Sequence, residues 1–186
     1  MELATLYGQT CRGCHGENGN NGAALSLANP VYLAIAVEAT VRQITAKGVA
    51  GTLMPAFETS AGGTLTEQQI DSLVRGIFQH WSQPKIFGAS TAPSYAANAK
   101  GDPTKGQKAF TEFCASCHAA SPGSISDASY LALVSDQSLR SAIIAGWPEG
   151  AMPDWHSDIP GPGARAMTEQ EIADVVAWLA AQRAAL

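Results

Sequence analysis

The chain has 186 residues, a length that fits either one domain or two small ones. Hydrophobic residues make up 46% of it and charged residues only 15%, which excludes a disordered, strongly solvated chain. The net charge is -5 and Lys and Arg form no cluster, so the composition excludes nucleic acid as a partner.

The first half begins with a predicted helix over residues 3–7, which is followed closely by Cys-Arg-Gly-Cys-His at residues 11–15. A second helical region is predicted from Tyr32 to Ala46, and Met54-Pro55 follows it in a loop. A third helix is predicted to open at Thr66, because Thr is a good N-cap and a Gln stands three positions on. Its apolar residues recur at helical spacing: Ile70, Leu73, Val74 and Ile77.

Residues 82–103 are rich in Pro, Ser, Ala and Gly and predict a linker. This linker separates a domain at residues 1–81 from a second domain at residues 104–186. The larger side chains of Ile86, Phe87 and Tyr95 leave open the alternative that the segment packs against one of the domains.

The second half repeats the elements of the first in the same order. It has a predicted helix over 106–113, Cys-Ala-Ser-Cys-His at 114–118, a helical region over 130–145, Met152-Pro153 and a helix that opens at Thr168. No convincing strand pattern occurs in either half, so the predicted fold class is all-α. Residues 104–186 carry nine Asp and Glu against five Lys and Arg, which makes this half the acidic one.

The two halves are copies of one unit. Residues 30–57 align with residues 128–155 without a gap, at a constant shift of 98. The Cys-x-x-Cys-His motifs are shifted by 103 and the last helices by 102, so insertions and deletions fall in the connecting loops. Identical pairs in the aligned block include Tyr32/Tyr130, Leu33/Leu131, Ala34/Ala132, Arg42/Arg140, Gly48/Gly146, Met54/Met152 and Pro55/Pro153.

All four cysteines belong to the two Cys-x-x-Cys-His motifs. In this motif two thiols form thioethers with the vinyl groups of one haem, and the His binds the iron as proximal ligand. The alternatives are a thioredoxin-like redox pair, half of a zinc site and ordinary disulfides; a redox pair does not need the His, and the Met-Pro pairs argue against zinc. We therefore predict two covalently bound haem c groups. The candidate residues are Cys11, Cys14, His15, Cys114, Cys117 and His118.

A His-ligated haem iron needs a sixth ligand if it is to carry electrons without binding substrate. Met54 and Met152 are the candidates, because a thioether raises the redox potential relative to a second His, and the Pro that follows stiffens the loop. A single Met is usually core filler, but these two occupy matching positions in a repeat. His80 and His156 are the alternatives; their positions are not equivalent, and we expect both at the surface or in a loop.

Four further residues are candidates for contact with the haem. Arg42 and Arg140 occupy equivalent helical positions, where they either make a charge-assisted contact to a haem propionate or lie on a solvated helix face. The sequence leaves both alternatives open. Tyr32 and Tyr130 are predicted to form part of the haem-pocket wall, together with Trp147.

Each half resembles a class I cytochrome c domain, especially the short bacterial kind found in haem-c subunits of respiratory complexes and dehydrogenases. The resemblance covers nearly the whole chain apart from the linker. It implies two tandem all-α domains, each with a few helices wrapped round a covalently bound haem.

The resemblance also implies that the first and last helices of each domain cross, with a glycine on the first against an aromatic residue on the last. The second half matches this pattern through Gly106, Phe110 and Trp178. In the first half the sizes are exchanged: the first helix carries the large residues Leu3 and Tyr7, and the last helix carries Gly76. This exchange keeps the total side-chain volume at the crossing roughly constant. We therefore predict that Leu3 packs over Gly76.

These features predict single-electron transfer through two haems with His and Met ligands, with no catalytic residue and no enzyme activity. The alternative is a dihaem redox enzyme, of the peroxidase or thiosulfate-oxidising type, in which one iron is open. The sequence supplies no spare Cys for such an enzyme, and each half has its own Met. The expected partners are redox proteins that donate and accept electrons, for a soluble carrier or for the haem module of a larger complex.

Location is predicted from the cofactor. No stretch approaches the roughly 18 apolar residues that span a bilayer, and no signal-peptide pattern precedes Tyr7. Because c-type haem is attached outside the cytoplasm in bacteria, we expect a periplasmic or otherwise extracytoplasmic protein. Only ten residues precede Cys11, so we also expect an export signal or membrane anchor upstream, through which the full-length protein would join a membrane complex.

Overall fold

The computed structural model describes residues 3–118, 125–156 and 165–183. The chain divides into two compact units, Met1–Ala92 and Pro93–Leu186. Over the described ranges the regular structure is helical, and β-structure is limited to two isolated bridges, Glu58 with Leu65 and Trp147 with Met152. The all-α prediction is confirmed. In these same ranges no helix is long and apolar enough to cross a bilayer.

The described part of the first unit contains α1 (Leu3–Thr10), α2 (Arg12–His15), α3 (Pro30–Lys47) and α4 (Glu67–Trp81). α3 begins at Asn29, whose side chain accepts hydrogen bonds from the amides of Val31 and Tyr32. α4 begins with the predicted capping box, in which Thr66 and Gln69 each accept a hydrogen bond from the backbone of the other. The apolar stripe predicted for α4 is buried: Ile70, Leu73, Val74 and Ile77.

The helical region predicted over residues 32–46 is not one straight helix. Val37 has φ 53° and ψ 160°, so α3 consists of two helical pieces joined at a kink. A β-branched residue is strained at a positive φ, and nothing in the local sequence indicates a break there. The apolar periodicity predicted which residues are helical but not that the helix axis changes direction.

The first and last helices of the first unit meet as predicted. A Cβ on Gly76 of α4 would lie 3.0 Å from both the Cβ and the Cδ1 of Leu3, so Leu3 packs directly over this glycine. The ring of Tyr7 on α1 packs edge-on against Trp81 at the end of α4, with 5.3 Å between ring centroids. The exchange of large and small side chains between the two helices thus keeps the contact filled.

The described part of the second unit contains α5 (Pro103–Phe113), α6 (Ala115–His118), α7 (Ala128–Leu133), α8 (Asp136–Ala145) and α9 (Glu169–Ala180). The region predicted as one helix over residues 130–145 is two helices, and Ser135 caps the second by accepting from the amide of Ser138. Ser135 is the equivalent of Val37 at the shift of 98. Both copies therefore interrupt this helical region at the same place.

The segment predicted as a linker is shared between the two units, since the boundary falls between Ala92 and Pro93. Residues 93–102 pack against α8 and α9 within the second unit. The carbonyl of Tyr95 accepts hydrogen bonds from Gln137 and Arg140, and a Cβ on Gly101 would overlap the carbonyl of Ala173. For these ten residues the alternative is therefore correct: the segment packs against a domain and is not a free linker.

α5 and α9 cross at Gly106. A Cβ at this position would overlap the backbone carbonyl of Asp174 and would lie 2.7 Å from the Cβ of Trp178. The rings of Phe110 and Trp178 lie beside this contact, with 4.5 Å between centroids. The predicted packing of glycine against aromatic residues is therefore confirmed in this unit. The inner face of α9 buries the predicted apolar residues Ile172, Val175, Val176 and Leu179.

The start of α9 is held by an ion pair as well as by its predicted capping box between Thr168 and Glu171. Arg165 pairs with Glu171 at 2.5 Å, and its guanidinium lies 4.8 Å from the ring centroid of Phe113 on α5. The hydrogen bond from Arg165, aided by those from Thr168, lowers the pKa of Glu171 to about 2. Arg165 therefore links the two crossing helices.

We expect Glu171→Gln to reduce the free energy of unfolding by about 1 kcal/mol at neutral pH, with no reduction in strong acid. The ionised carboxylate stabilises the fold fully above its ordinary pKa of 4.5, and this contribution is lost as the pH falls towards about 2. Denaturant unfolding across that pH range measures the effect. Glu112→Gln is the control, because Glu112 is a more exposed partner of Arg165 at 3.4 Å. A Glu171→Gln deficit that does not depend on pH would contradict the prediction.

Candidate functional site

Cys11, Cys14 and His15 are brought together by a single turn of helix. The amides of Cys14 and His15 both donate to the carbonyl of Cys11, at 3.2 and 3.0 Å. A spacing of three residues places the two thiols on the same side of this turn. Cys11 is buried, Cys14 is exposed, and neither forms a disulfide.

The imidazole of His15 has a defined tautomer. Its Nδ1 lies 2.8 Å from the carbonyl oxygen of Leu25, and since a carbonyl can only accept, Nδ1 carries the hydrogen. Burial lowers the pKa of His15, partly opposed by this hydrogen bond. The neutral ring therefore keeps the lone pair on Nε2, which is the nitrogen available to a metal, and the Leu25 carbonyl fixes the ring orientation.

Residues 16–29 form a loop that folds back over the Cys-x-x-Cys-His turn. A Cβ on Gly22 would overlap the backbone carbonyl of Cys14, so only glycine allows this approach. The amide of Ala24 donates to the same carbonyl at 2.9 Å. The hydroxyl of Tyr7 donates to the carbonyl of Gly16 at 2.8 Å, and burial raises the pKa of this phenol to about 12, which keeps it a donor.

The second motif has the same local geometry. The amides of Cys117 and His118 donate to the carbonyl of Cys114, at 3.2 and 2.8 Å. Both thiols are free of disulfides, and burial raises the pKa of Cys114 to about 11. Residues 119–124, which follow this turn, lie outside the described residues.

Met54 and Met152 lie in loops that are built in the same way. Each loop begins at a left-handed glycine that ends the preceding helix: Gly48 has φ 69° and Gly146 has φ 67°. A Cβ on either glycine would lie 2.7 Å from the carbonyl oxygen of the Met in its loop. In both loops the amide after the glycine donates to that same oxygen, at 3.0 Å. Glycine is therefore required at both positions, and it holds the Met backbone against the helix end.

The first of these loops is also closed at its base, by residues that the sequence did not single out. The amide of Phe57 donates to the carbonyl of Thr45 at 3.1 Å, and that of Glu58 donates to Ala46 at 3.2 Å. The side chain of Lys47 pairs with Glu58, and this hydrogen bond lowers the pKa of the carboxyl. Both ends of the Met54 loop are thereby held together.

Arg42 and Arg140 each pair with a carboxylate on the last helix of their unit. Arg42 lies 2.5 Å from Asp71, and Arg140 lies 2.5 Å from Glu169. The side chain of Arg42 is 40% exposed, whereas that of Arg140 is 2% exposed. The alternative of a solvated helix face is therefore wrong for Arg140. Contact with a haem propionate remains a prediction for both residues.

The two tyrosines and the two alternative histidines differ in exposure. Tyr32 is 6% exposed and Tyr130 is 43% exposed, and their place in a haem-pocket wall remains a prediction. His80 and His156 are both exposed, as expected of surface or loop residues. Each lies edge-on against the neighbouring Trp ring, with 5.5 and 5.1 Å between centroids.

Arg183 is a structural residue that sequence reasoning missed. It donates to the carbonyls of Leu131 and Val134 at the end of α7, at 2.9 and 2.8 Å, and it pairs with Asp136 at 2.6 Å. These contacts satisfy the last carbonyls of α7 and place a positive charge at the negative end of that helix. A basic residue after the last helix carries no sequence signal of partners so far away along the chain.

The donor set fits a haem held by thioethers better than it fits zinc or disulfides. The four cysteines are free, and in the part of the chain that the structure describes no three His, Cys, Asp or Glu side chains gather into a metal site. The tautomer of His15 leaves a ring nitrogen for iron. The residues that would hold haem c are Cys11, Cys14 and His15 in one unit and Cys114, Cys117 and His118 in the other.

A helical fold with a Cys-x-x-Cys-His turn and a Met-bearing loop in each unit defines the c-type cytochrome class. Residues 1–75 match the family described as cytochrome c oxidase, cbb3-type, subunit III, and residues 103–182 match the cytochrome c family. The chain therefore contains two cytochrome c-type domains, which imply covalently bound haem c and haem-based electron transport. No curated protein matches it.

The solved structures that are similar to this chain include the following two. One is from the Kuenenia stuttgartiensis reducing HAO-like protein complex Kustc0457/Kustc0458, with 15% identity and a TM-score of 0.52 over 98% of this chain and 96% of that chain. The other is the KustC0563 c-type cytochrome, with 21% identity and a TM-score of 0.38 over 45% of this chain and 100% of that chain. The first similarity shows that the fold is shared.

Proposed function

We propose that this cytochrome c transfers single electrons through two covalently bound haems, each with one His and one Met ligand, and that it is not an enzyme. The main support for the proposal is that the loops of Met54 and Met152 have the same backbone structure. In both units a left-handed glycine and one backbone hydrogen bond hold the Met in the same relation to the preceding helix. A complete ligand set in each half is what an electron carrier needs.

When bound, haem c supplies an iron that changes between the ferric and ferrous states. The residues of this chain would hold it in place: the Cys side chains would anchor it, and the Leu25 carbonyl keeps the His15 ring in one orientation. The loops of Met54 and Met152 present their side chains from a backbone fixed at Gly48 and Gly146. Groups that are fixed beforehand reorganise little when an electron arrives.

A dihaem redox enzyme, of the peroxidase or thiosulfate-oxidising type, would need one iron without a protein ligand on its sixth position. The half-buried Met in each unit argues against such an open site. Electron transfer without bond chemistry is therefore the function that the two sites support best.

The proposed partners are redox proteins, one that donates electrons and one that accepts them. A protein of similar fold comes from a multi-protein complex, which supports a place among other redox proteins, either as a carrier or as the haem module of a respiratory or dehydrogenase complex. Docking would use small, transient contacts, and the acidic second half favours a basic partner. An extracytoplasmic location and a membrane link upstream of the chain belong to the same proposal.

The mass of the intact haem-loaded protein tests the number of cofactors. We expect the mass of the chain plus two haems, and Cys14→Ser and Cys117→Ser should each weaken attachment at one site only. The ferric protein should show low-spin optical and magnetic spectra for both haems. A single haem, or a high-spin ferric signal from either one, would overturn the proposal and favour the redox enzyme.

A further inference from the structure

A buried carboxylate stands at the far end of the Met54 loop. The side chain of Glu58 is 7% exposed, and it pairs with Lys47, the last residue of α3. The hydroxyl of Ser60 donates to the same carboxylate oxygen at 2.7 Å. The hydrogen bonds from Lys47 and Ser60 lower the pKa of the Glu58 carboxyl, so this side chain is ionised at neutral pH. A carboxylate with so little exposure is stable only while its partners stay in place.

The backbone of Glu58 is fixed from two sides. Its amide donates to the carbonyl of Ala46 near the end of α3 at 3.2 Å, and its carbonyl accepts from the amide of Gly63 at 2.8 Å. Next to it, the carbonyl of Phe57 accepts from the amide of Leu65 at 2.7 Å. Glu58 therefore joins the Met54 loop both to α3 and to the segment that leads into α4.

The chain between Met54 and Glu58 is short. Three residues separate them, and one of these is Pro55, whose φ is fixed by its ring. At the other end of the loop the carbonyl of Met54 accepts from the amide of Val49 at 3.0 Å. A displacement of Glu58 would therefore also move Met54, because few bonds between them are free to rotate.

The second unit does not have this ion pair. At the shift of 98, Ala145 stands in the place of Lys47 and His156 in that of Glu58. Alanine has no charged group, so the pair cannot form between these two positions. The Lys47–Glu58 pair is therefore specific to the first Met loop, and the second haem site provides a comparison within the same molecule.

We propose that Glu58 is a positioning residue for Met54: paired with Lys47, it keeps the loop in the conformation that holds the Met54 sulfur on the iron of the first haem. This inference rests on the proposed function, in which Met54 is the sixth ligand. In this role Glu58 acts through the loop backbone. Without the pair, Met54 should detach more often, and other ligands should replace it faster.

The redox potential separates this role from a simple effect of charge. A soft sulfur ligand favours the ferrous state, so a looser Met54 should lower the potential of the first haem. Loss of a negative charge near the haem should by itself raise the potential, because the ferric state carries the greater positive charge. The two effects of Glu58→Gln thus have opposite signs.

The rate at which imidazole replaces Met on the ferric, full-length, haem-loaded protein tests the proposal. We expect slow binding with one phase for each haem, and Met54→Ala identifies the phase of the first haem. Glu58→Gln should speed that phase at least about threefold, a modest factor because Lys47 is more than half exposed. It should also weaken the charge-transfer absorption of Met sulfur on ferric iron and lower the potential of the first haem. The phase of the second haem should not change.

Variants of Lys47 keep the proposal testable if Glu58→Gln disturbs the fold. Lys47→Met keeps a long side chain at an exposed helix end, and it should speed the same phase as much as Glu58→Gln does. The double variant should be no faster than either single one, because the pair is lost only once. Lys47→Arg should keep binding slow. Glu38→Gln, which removes one negative charge from an exposed position of α3, is the control and should leave the rate unaltered.

Three results would overturn the proposal: an unchanged first phase in Glu58→Gln and Lys47→Met, equal acceleration at both haems, or a potential of the first haem that rises in Glu58→Gln. Met54→Ala separates these from a failure of the proposed function. If Met54→Ala did not open the first haem to imidazole, Met54 would not be its ligand, and both proposals would be wrong. If it did, and Glu58→Gln and Lys47→Met had no effect, only the positioning role would be wrong.

Discussion

Met54→Ala and Met152→Ala should each allow the ferrous, haem-loaded protein to bind about one carbon monoxide, which the unmodified protein should bind only weakly. If Met54 and Met152 are the sixth ligands, as proposed, removal of either thioether would leave one iron without its second protein ligand. The potential of the same haem should fall by about 0.1 V or more, because a soft, neutral sulfur favours the ferrous state. Optical titration with carbon monoxide and a redox titration measure the two effects.

Leu53→Ala is the matched control for Met54→Ala. Leu53 precedes Met54 in the same loop and is 97% exposed, so its truncation changes the loop surface without touching a predicted ligand. Carbon monoxide binding and potential should both stay as in the unmodified protein. Since each unit has its own Met loop, the double variant should bind about two carbon monoxide molecules. Equal binding before and after the Met substitutions would show that the sixth ligands lie elsewhere.

Gly106→Ala should destabilise the second unit by about 3 kcal/mol or more. The added methyl would overlap the backbone carbonyl of Asp174 and would lie 2.7 Å from the Cβ of Trp178. Backbone atoms in the middle of a helix cannot move aside cheaply, so α5 and α9 would have to separate. Denaturant unfolding followed by Trp fluorescence measures the loss.

Two other glycine positions serve as controls for Gly106→Ala. A Cβ on Gly8 of α1 would meet nothing within 4 Å, so Gly8→Ala should stabilise the chain by about 0.5–1 kcal/mol through helix propensity. Gly76→Ala should fall between the two, because its methyl would meet the side chain of Leu3 at 3.0 Å, and a side chain can shift where a backbone cannot. If the Gly106→Ala variant were as stable as the unmodified protein, α5 and α9 would not cross at Gly106.

Several local features of this protein could be predicted because they depend on residues close together in the chain. The capping boxes at Thr66 and Thr168 each involve a partner three residues away. The pairing of Gly48 with Gly146 in the repeat was predicted, and the structure gives both the same positive φ, although their place at the helix ends was not predicted. The packing of Leu3 over Gly76 was a longer-range prediction, and it succeeded because a known pattern of helix crossing supplied the missing contact.

Other features could not be predicted because two different structures are compatible with the same sequence pattern. The interruptions at Val37 and Ser135 keep apolar residues at helical spacing on either side, so periodicity indicates one helix where there are two pieces. Arg140 looks like any helical Arg in the sequence, yet it is buried under residues 94–95 and paired with Glu169. The Pro, Ala and Ser content of the predicted linker does not indicate whether the segment packs against a domain.

The sequence by itself determined the Cys-x-x-Cys-His turns, because the relative positions of Cys11, Cys14 and His15 follow from one helical turn. It also determined the Met-Pro loops, because they stand at matching places in the repeat. Only the tertiary structure decided what surrounds them. The carbonyl of Leu25 sets the tautomer of His15, and residues 94–95 together with Glu169 bury the guanidinium of Arg140. Local spacing is encoded residue by residue, whereas these partners depend on which distant segments come to rest against each other.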